Sequence, residues 1–188
     1  MTPEPTDWDA QRAVEARPIT VWSGVAWRGH RRTYDGTDWR GSLLVSARYH
    51  RAPDAYPPEL TWPALYLSLS YGVCLGEVLR HLPAALFAQV TTYRFSKLRV
   101  HLTRVIDCRN LPAMGLRPED LFRDFDFRVG QEVAAAARRL GCEGLFVPSA
   151  TGFPDPNLIV FPDMLDSTSA IELIESVDPK LYVDRTSI

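Results

Sequence analysis

The chain has 188 residues, of which 46% are hydrophobic, and its formal net charge is −2 at pH 7. This length and composition suit a single domain with one core, and the nearly balanced charge offers no general attraction to nucleic acid. No apolar run reaches the roughly 20 residues of a membrane-spanning helix. The first seven residues also lack the basic and apolar regions of a signal peptide, so we expect a cytoplasmic protein.

Cys74, Cys108 and Cys142 are widely spaced and odd in number. Without a Cys-x-x-Cys pair or paired histidines nearby, this spacing indicates neither a disulfide framework nor a zinc site. We therefore expect buried, reduced thiols and no bound metal.

Residues 1–18 are polar and rich in proline and acidic side chains, which predicts an N-terminal arm that is either loose or forms a short helix from Trp8 to Ala16. The domain itself is predicted to span residues 19–188. Its first strand is either 19–22 or 24–28, and it leads into a basic cluster formed by Arg28, His30, Arg31 and Arg32. Such a cluster can hold a phosphate, although on the residues alone a solvated surface is the commoner case.

Residues 41–50 are predicted to form a second strand. The loop that follows, residues 51–63, carries four prolines and therefore cannot be a central strand or a helix interior. We expect it to lie on the surface as a wall beside the site.

Residues 64–82 form the central stretch, which is predicted to be a strand followed directly by a helix. In a strand, Leu65 and Leu67 share one face and Tyr66 points to the other. From Ser70, a plausible helix cap, the spacing becomes helical and places Glu77 opposite the leucines. Tyr66 and Glu77 could then meet in one cleft. On the residues alone, a solvated pair of Glu77 with Arg80 is the commoner interpretation.

The second half of the chain is predicted to alternate strands and helices, after Pro83 closes the helical region. The predicted strands are 89–95, 98–106, 143–149 and 157–161, and the predicted helices start at Arg117 and span 130–140. The segment Ala170–Val177 fits either a strand or a helix. Many short strands with about three helices indicate a single α+β domain.

Several fragments, in order along the chain, resemble the motifs of the RES domain family, toxins named for an arginine, a glutamate and a serine. The fragments are Trp27-Arg28, Ser46-Ala47-Arg48-Tyr49-His50, Leu65-Tyr66-Leu67-Ser68, Leu75-Gly76-Glu77-Val78, and residues 144–150 with 157–161. The family usually has Gly-Gly-Arg-Trp-Asn where this chain has residues 46–50, and the proline loop is longer than usual.

The resemblance implies an α+β, single-domain fold like that of ADP-ribosyltransferase toxins, with short strands in a mixed, split sheet core and surrounding helices. It also implies a toxin of a bacterial toxin–antitoxin system that consumes NAD+ as a substrate rather than as a cofactor. The expected partner is an Xre-type antitoxin with a helix-turn-helix domain, which covers the site and supplies any contact with DNA. A homodimer is left open.

The chemistry implied by the resemblance is cleavage of the bond between nicotinamide and ribose, which develops positive charge on the sugar. We expect Glu77, Tyr66 and Arg28 to be catalytic: Glu77 stabilises the charge, Tyr66 stacks on nicotinamide and Arg28 holds the pyrophosphate. Arg48 and Ser149 are expected to bind the substrate, Arg48 by a guanidinium fork on the pyrophosphate and Ser149 by a hydrogen bond.

Three functions remain open on the sequence. The leading one is an NAD+ glycohydrolase or phosphorylase, and the second is a mono-ADP-ribosyltransferase that modifies a cytoplasmic protein. The third is a non-catalytic binding module that keeps only the fold. No motif in the sequence distinguishes water, phosphate or a protein side chain as acceptor.

Overall fold

A computed structural model describes residues 8–82, 89–123 and 126–179. The predictions for residues 1–7, Pro83 and residues 180–188 lie outside these ranges. The helices of the described residues are α1 (Ala10–Glu15), α2 (Tyr71–Arg80), α3 (Pro118–Leu121) and α4 (Arg128–Arg139). The strands are β1 (Ile19–Arg31), β2 (Leu65–Ser68), β3 (Tyr93–Asp107), β4 (Gly144–Val147), β5 (Asn157–Val160) and β6 (Ala170–Val177).

Five of the strands close into a barrel in the order β1-β2-β5-β4-β3, because β3 pairs back onto β1. The β3–β4 pair is parallel and the other four pairs are antiparallel, so the barrel is mixed. β6 pairs with the first part of β3 and extends the sheet outside the closed ring. The closure at β1–β2 is narrow, with a single pair between Trp27 and Ser68.

The predicted split sheet with surrounding helices is therefore wrong. The prediction treated β1 and β3 as short pieces, whereas β1 has 13 residues and β3 has 15. These two strands pair from Ile19–Ile106 to Arg31–Tyr93. A strand this long can pair along its full length with β1 on one side and, in successive parts, with β6 and β4 on the other. Contacts between such distant segments leave no local signal in a single sequence.

The barrel interior is filled by one apolar cluster. Its buried members are Ala26, Leu65, Leu67, Leu98, Val100, Leu102, Val105, Phe146, Leu158 and Val160. Since side chains alternate along a strand, the residues between these members point to the outer face of the barrel. Tyr66 and Ile159 do so and pack against a second cluster, as predicted for Tyr66.

The second cluster lies where α1 and α4 cover the outer face of the barrel. Val14 of α1 and Ala134 of α4 are fully buried in it. Part of the predicted arm thus packs against the rest of the chain, while the division of the chain at residues 18 and 19 stays a prediction. No described helix has the length and apolar character needed to cross a membrane.

Local predictions had mixed outcomes. Ser70 caps α2 as predicted, since its Oγ accepts the Val73 N–H at 3.3 Å. The strand predicted at residues 41–50 is wrong: a 3-10 helix, Arg40–Leu43, is followed by an isolated bridge between Ala47 and His50. Ala170–Val177, for which the sequence allowed either a strand or a helix, forms a strand. The three cysteines are buried and unpaired, as predicted.

Candidate active site

A cavity of about 250 Å³ lies on the outer face of the barrel, beside α2. Its lining combines residues of β1, β2 and β5 with residues of α2, His81 just after α2, and residues of three loops. The lining residues are Trp27, Gly29, Ala47, Arg48, Tyr49, Tyr66, Leu67, Ser68, Cys74, Glu77, Val78, His81, Phe122, Phe127, Pro148, Ala150, Asn157 and Ile159. The lining is mainly apolar, with Glu77 and Arg48 providing opposite charges.

The local sequence explains why Tyr66 and Glu77 meet here. Tyr66 alternates with the interior leucines of β2 and so points outward. α2 begins three residues after β2 ends, and its second turn brings Glu77 back over the same outer face. Gly29 permits this close approach, because a Cβ there would lie 2.4 Å from Val78 Cγ2 of α2.

One carboxylate oxygen of Glu77 is held by a dense set of hydrogen bonds. Oε1 accepts from Ser149 Oγ at 2.7 Å, from Asn157 Nδ2 at 2.7 Å and from Ala150 N at 3.3 Å. Within the described residues, Oε2 accepts no hydrogen bond. The carboxylate is thus fixed in place with one oxygen left for a bound molecule.

The hydroxyl of Tyr66 lies between two neighbours from the loop after Arg48. Its oxygen is 3.0 Å from Tyr49 N and 3.0 Å from His50 Nδ1. Burial raises the pKa of Tyr66, so it stays a neutral phenol. Tyr66 lines the cavity, and its hydroxyl is held by the protein.

Arg48 is held against α4 and the ring of Phe122. A Cβ at Gly130 would lie 2.4 Å from the Arg48 carbonyl oxygen, so only glycine allows this approach. The guanidinium carbon lies 5.5 Å from the centre of the Phe122 ring. Arg48 Nε is buried and finds no hydrogen-bond partner among the described residues, which leaves a charged donor beside the cavity.

Arg28 does not line the cavity. By strand alternation it lies on the side of Ala26, opposite Trp27 and Gly29, and its Nη1 donates to the Gly36 carbonyl at 2.9 Å. Burial lowers the pKa of Arg28 to about 10. Its predicted catalytic role stays a prediction.

Ser149 is buried behind Glu77 rather than in the lining. Its Oγ donates to Glu77 Oε1, and Thr151 N donates back to Ser149 Oγ at 3.1 Å. The structure therefore brings Tyr66, Glu77, Arg48 and Ser149 together and places Arg28 behind them. The predicted contact between Ser149 and the substrate stays a prediction.

Residues that the sequence interpretation did not assign complete the arrangement. Asn157 bridges Glu77 and Ser68, because its Oδ1 accepts from Ser68 Oγ at 2.7 Å. Gln131 Nε2 donates to the carbonyls of Ala47 and His50 and so fixes the loop that carries Arg48. A usable signal for Asn157 was a polar residue opening a buried strand directly after the Ser149 loop. Gln131 left only a weak signal, a polar residue within an apolar helix face.

The RES domain family profile matches residues 25–180. NAD(+) phosphorylase MbcT of Mycobacterium tuberculosis (strain ATCC 25618 / H37Rv) is 29% identical over 182 residues, and the match covers 90% of each chain. MbcT of Mycobacterium bovis (strain ATCC BAA-935 / AF2122/97) matches equally well.

A solved structure also resembles this fold. It is the crystal structure of the M. tuberculosis MbcT–MbcA toxin–antitoxin complex, in which the matching chain superposes with a TM-score of 0.78 at 26% identity. The match covers 97% of this chain and 100% of that chain. The closed barrel is thus common to both proteins. Since the family profile spans most of the sequence, the chain belongs to the RES domain family.

Proposed function

We propose that this protein is a toxin that degrades NAD+ by cleaving the bond between nicotinamide and ribose. The observation that carries the proposal is the state of Glu77: one carboxylate oxygen is fixed by three donors, and the other stays free in a mainly apolar cavity. The related MbcT, named an NAD(+) phosphorylase, supports the same substrate.

Glu77 acts on the charge that develops during bond cleavage. As nicotinamide leaves, the ribose becomes an oxocarbenium-like cation. A carboxylate held in position beside it stabilises that cation, and the effect is strongest where water is excluded. Nicotinamide departs as a neutral ring with the electron pair of the broken bond, so no acid is required to protonate it.

The cavity is small for a whole dinucleotide. Its volume of about 250 Å³ lies below the range of roughly 300–1,000 Å³ typical of pockets for drug-sized ligands. We infer that it encloses the nicotinamide-ribose end of NAD+, with the Tyr66 ring against nicotinamide. The free donor of Arg48 suits the adjacent pyrophosphate. Arg28 and Ser149 are proposed to support this end from behind the lining.

The acceptor is proposed to be phosphate, in keeping with the name of MbcT. A phosphate oxygen would form a bond to the anomeric carbon of ribose as the bond to nicotinamide breaks. The products are then nicotinamide and ADP-ribose 1-phosphate. Water in place of phosphate would yield free ADP-ribose.

The partner is proposed to be an antitoxin, since MbcT is solved in complex with the antitoxin MbcA. We propose an Xre-type helix-turn-helix protein that covers Arg48, Tyr66 and Glu77 and mediates any binding to DNA. A cytoplasmic location belongs to the same proposal, because NAD+ and the antitoxin must both be within reach. Light scattering on the purified chain tests separately whether it forms a homodimer.

The test incubates the purified chain, free of antitoxin, with NAD+ in the presence and absence of phosphate. We expect NAD+ to disappear, nicotinamide to appear and ADP-ribose 1-phosphate to form when phosphate is present, as identified by mass spectrometry. Free ADP-ribose in both conditions would make the enzyme a glycohydrolase. NAD+ that stays intact in every condition would contradict the proposed function and favour a binding module.

A further inference from the structure

His50 occupies a fixed position between the protein backbone and Tyr66. It is only 3% exposed. Its Nε2 lies 2.8 Å from the Val45 carbonyl oxygen and its Nδ1 lies 3.0 Å from the Tyr66 hydroxyl. The imidazole does not line the cavity, but Tyr66 does. The Tyr66 hydroxyl therefore links the His50 imidazole directly to a lining residue.

The contacts determine where the protons lie. A carbonyl oxygen can only accept, so Nε2 must carry the hydrogen that bonds to Val45. Burial lowers the pKa of His50, which favours the neutral ring, and a neutral ring with Nε2–H has an acceptor at Nδ1. The Tyr66 hydroxyl therefore donates to His50 Nδ1 and accepts from Tyr49 N–H.

This arrangement leaves the Tyr66 hydroxyl with one donated and one accepted hydrogen bond, both to protein. The hydroxyl is therefore not aimed at a bound molecule, and what Tyr66 presents to the cavity is its ring. Gln131 fixes the same loop from the other side, since its Nε2 also donates to the His50 carbonyl at 3.1 Å. The orientation of the ring thus depends on a chain of contacts that begins outside the cavity.

We propose that His50 is a positioning residue, which acts through the Tyr66 hydroxyl to hold the tyrosine ring as the wall for the nicotinamide end of the substrate. This inference rests on the proposed function. It also assigns a role to a departure from the family motif, in which asparagine stands where this chain has His50. An asparagine oxygen lies at the position of histidine Nδ1, so it can accept the same hydrogen bond.

Two substitutions distinguish the hydrogen bonds made by the two nitrogens of the His50 imidazole. His50→Asn keeps an acceptor at the δ position, whereas His50→Gln keeps a donor at the ε position for Val45 but loses the acceptor for Tyr66. We expect kcat/KM of His50→Asn to stay within about threefold of the wild type, and that of His50→Gln to fall about tenfold, the effect of one hydrogen bond. Equal losses in the two folded variants would overturn the proposal.

A double-mutant cycle tests the path through the hydroxyl. In a Tyr66→Phe background, the ring remains and the hydroxyl is gone, so His50→Gln should cause no additional loss of kcat/KM. The same additional loss in both backgrounds would show that His50 does not act through Tyr66. His101→Gln is the matched control, because His101 bonds Ser23 on β1 and does not line the cavity. Its kcat/KM should equal that of the wild type.

A measurement without substrate separates this inference from the proposed function. The ¹⁵N chemical shifts of His50 in the wild type should show the tautomer with Nε2–H and an unprotonated Nδ1. A tautomer with Nδ1–H would overturn the inference even in an active enzyme. Intact NAD+ together with the Nε2–H tautomer would instead contradict the proposed function while leaving the contact to Tyr66 in place.

Discussion

Two glutamates, Glu77 and Glu143, carry the same carboxylate group but have different roles in this molecule. Glu143, at the start of β4, is 1% exposed, and both of its oxygens are used by the fold. Oε2 accepts from Thr103 N at 2.6 Å and Oε1 accepts from Ser169 Oγ at 2.7 Å, with further bonds from the backbone of Arg104 and Asp166. Glu77 uses only Oε1 in this way.

The difference lies in what surrounds the second oxygen. Around Glu143, loop and strand backbones converge and satisfy the whole carboxylate. Around Glu77, three donors fix one oxygen and the cavity takes the place of further donors. A carboxylate satisfied at both oxygens contributes to stability, and a carboxylate satisfied at one can also interact with a substrate. This contrast can be tested with the same substitution at both positions.

Glu77→Gln should produce the largest effect on activity. The amide keeps the size of the side chain and removes the negative charge that opposes the developing cation. We expect NAD+ consumption to fall by at least roughly a hundredfold, the scale for removal of a main transition-state stabiliser. The melting temperature should change little. The assay is the initial rate of nicotinamide release, and a variant as active as the wild type would refute the role of Glu77.

Glu143→Gln should show the opposite pattern. The new amide nitrogen meets N–H donors and cannot accept from them, so the free energy of unfolding should fall by about 3 kcal/mol. Urea denaturation measures this loss. The rate of nicotinamide release per folded molecule should stay near that of the wild type. A Glu143→Gln variant that keeps its full stability but is inactive would contradict the difference in role between Glu143 and Glu77.

Substitution of Arg48, which lines the cavity, should affect activity more than substitution of Arg28, which lies behind the lining. Arg48→Ala removes a charged donor from the cavity lining and should weaken NAD+ binding by about 1.5–3 kcal/mol, seen as a raised KM. Arg28→Ala should also raise KM, but less, because Arg28 lies behind the lining and bonds to Gly36. Arg99→Ala, on the exposed side of β3, is the control. An Arg28→Ala variant that unfolds would indicate a structural role for Arg28. A folded Arg48→Ala variant with an unchanged KM would contradict the contact between Arg48 and the substrate.

Asn157→Asp tests the hydrogen bond that fixes the Glu77 carboxylate. A second carboxylate would stand at the atom that now donates to Glu77 Oε1 at 2.7 Å, so the pair would hold a proton more tightly. We expect about a tenfold loss of activity at neutral pH and a partial recovery as the pH rises. The other titratable groups that line the cavity with this pair are Arg48, Tyr49, Tyr66, Cys74 and His81. Asn110→Asp makes the same charge change at an exposed cap and should leave the pH–rate profile unchanged.

The smallest effect concerns acid stability. Burial by itself would raise the pKa of Glu143, but the bonds from Asp166, Ser169, Thr103 and Arg104 outweigh it and lower the pKa below the ordinary 4.5. A carboxylate with a lowered folded pKa stabilises the fold above its unfolded pKa, and this contribution is lost as the pH falls through the folded pKa. As the pH falls below about 4.5, the wild type should therefore lose more stability than Glu143→Gln. Equal slopes in urea titrations at several pH values would contradict this.

The sequence by itself determined the parts of the site that depend on local periodicity. Alternation along β2 places Tyr66 opposite Leu65 and Leu67, and Ser70 caps the helix that carries Glu77. The motif resemblance identified the family, because it depends on short runs of residues in a set order. These features need only contacts between residues near in the chain.

Only the tertiary structure decided how those parts combine. The barrel closes because β1 and β3 pair along their length, and no local pattern encodes a partner so far away in the sequence. The same applies to Asn157 and Gln131, whose amides matter because of the backbones and carboxylates they meet from other elements. Arg28 and Arg48 are both arginines beside aromatic residues in sequence. Arg28 lies behind the cavity lining and Arg48 lies within it. This difference depends on which side of each segment faces α2 and α4.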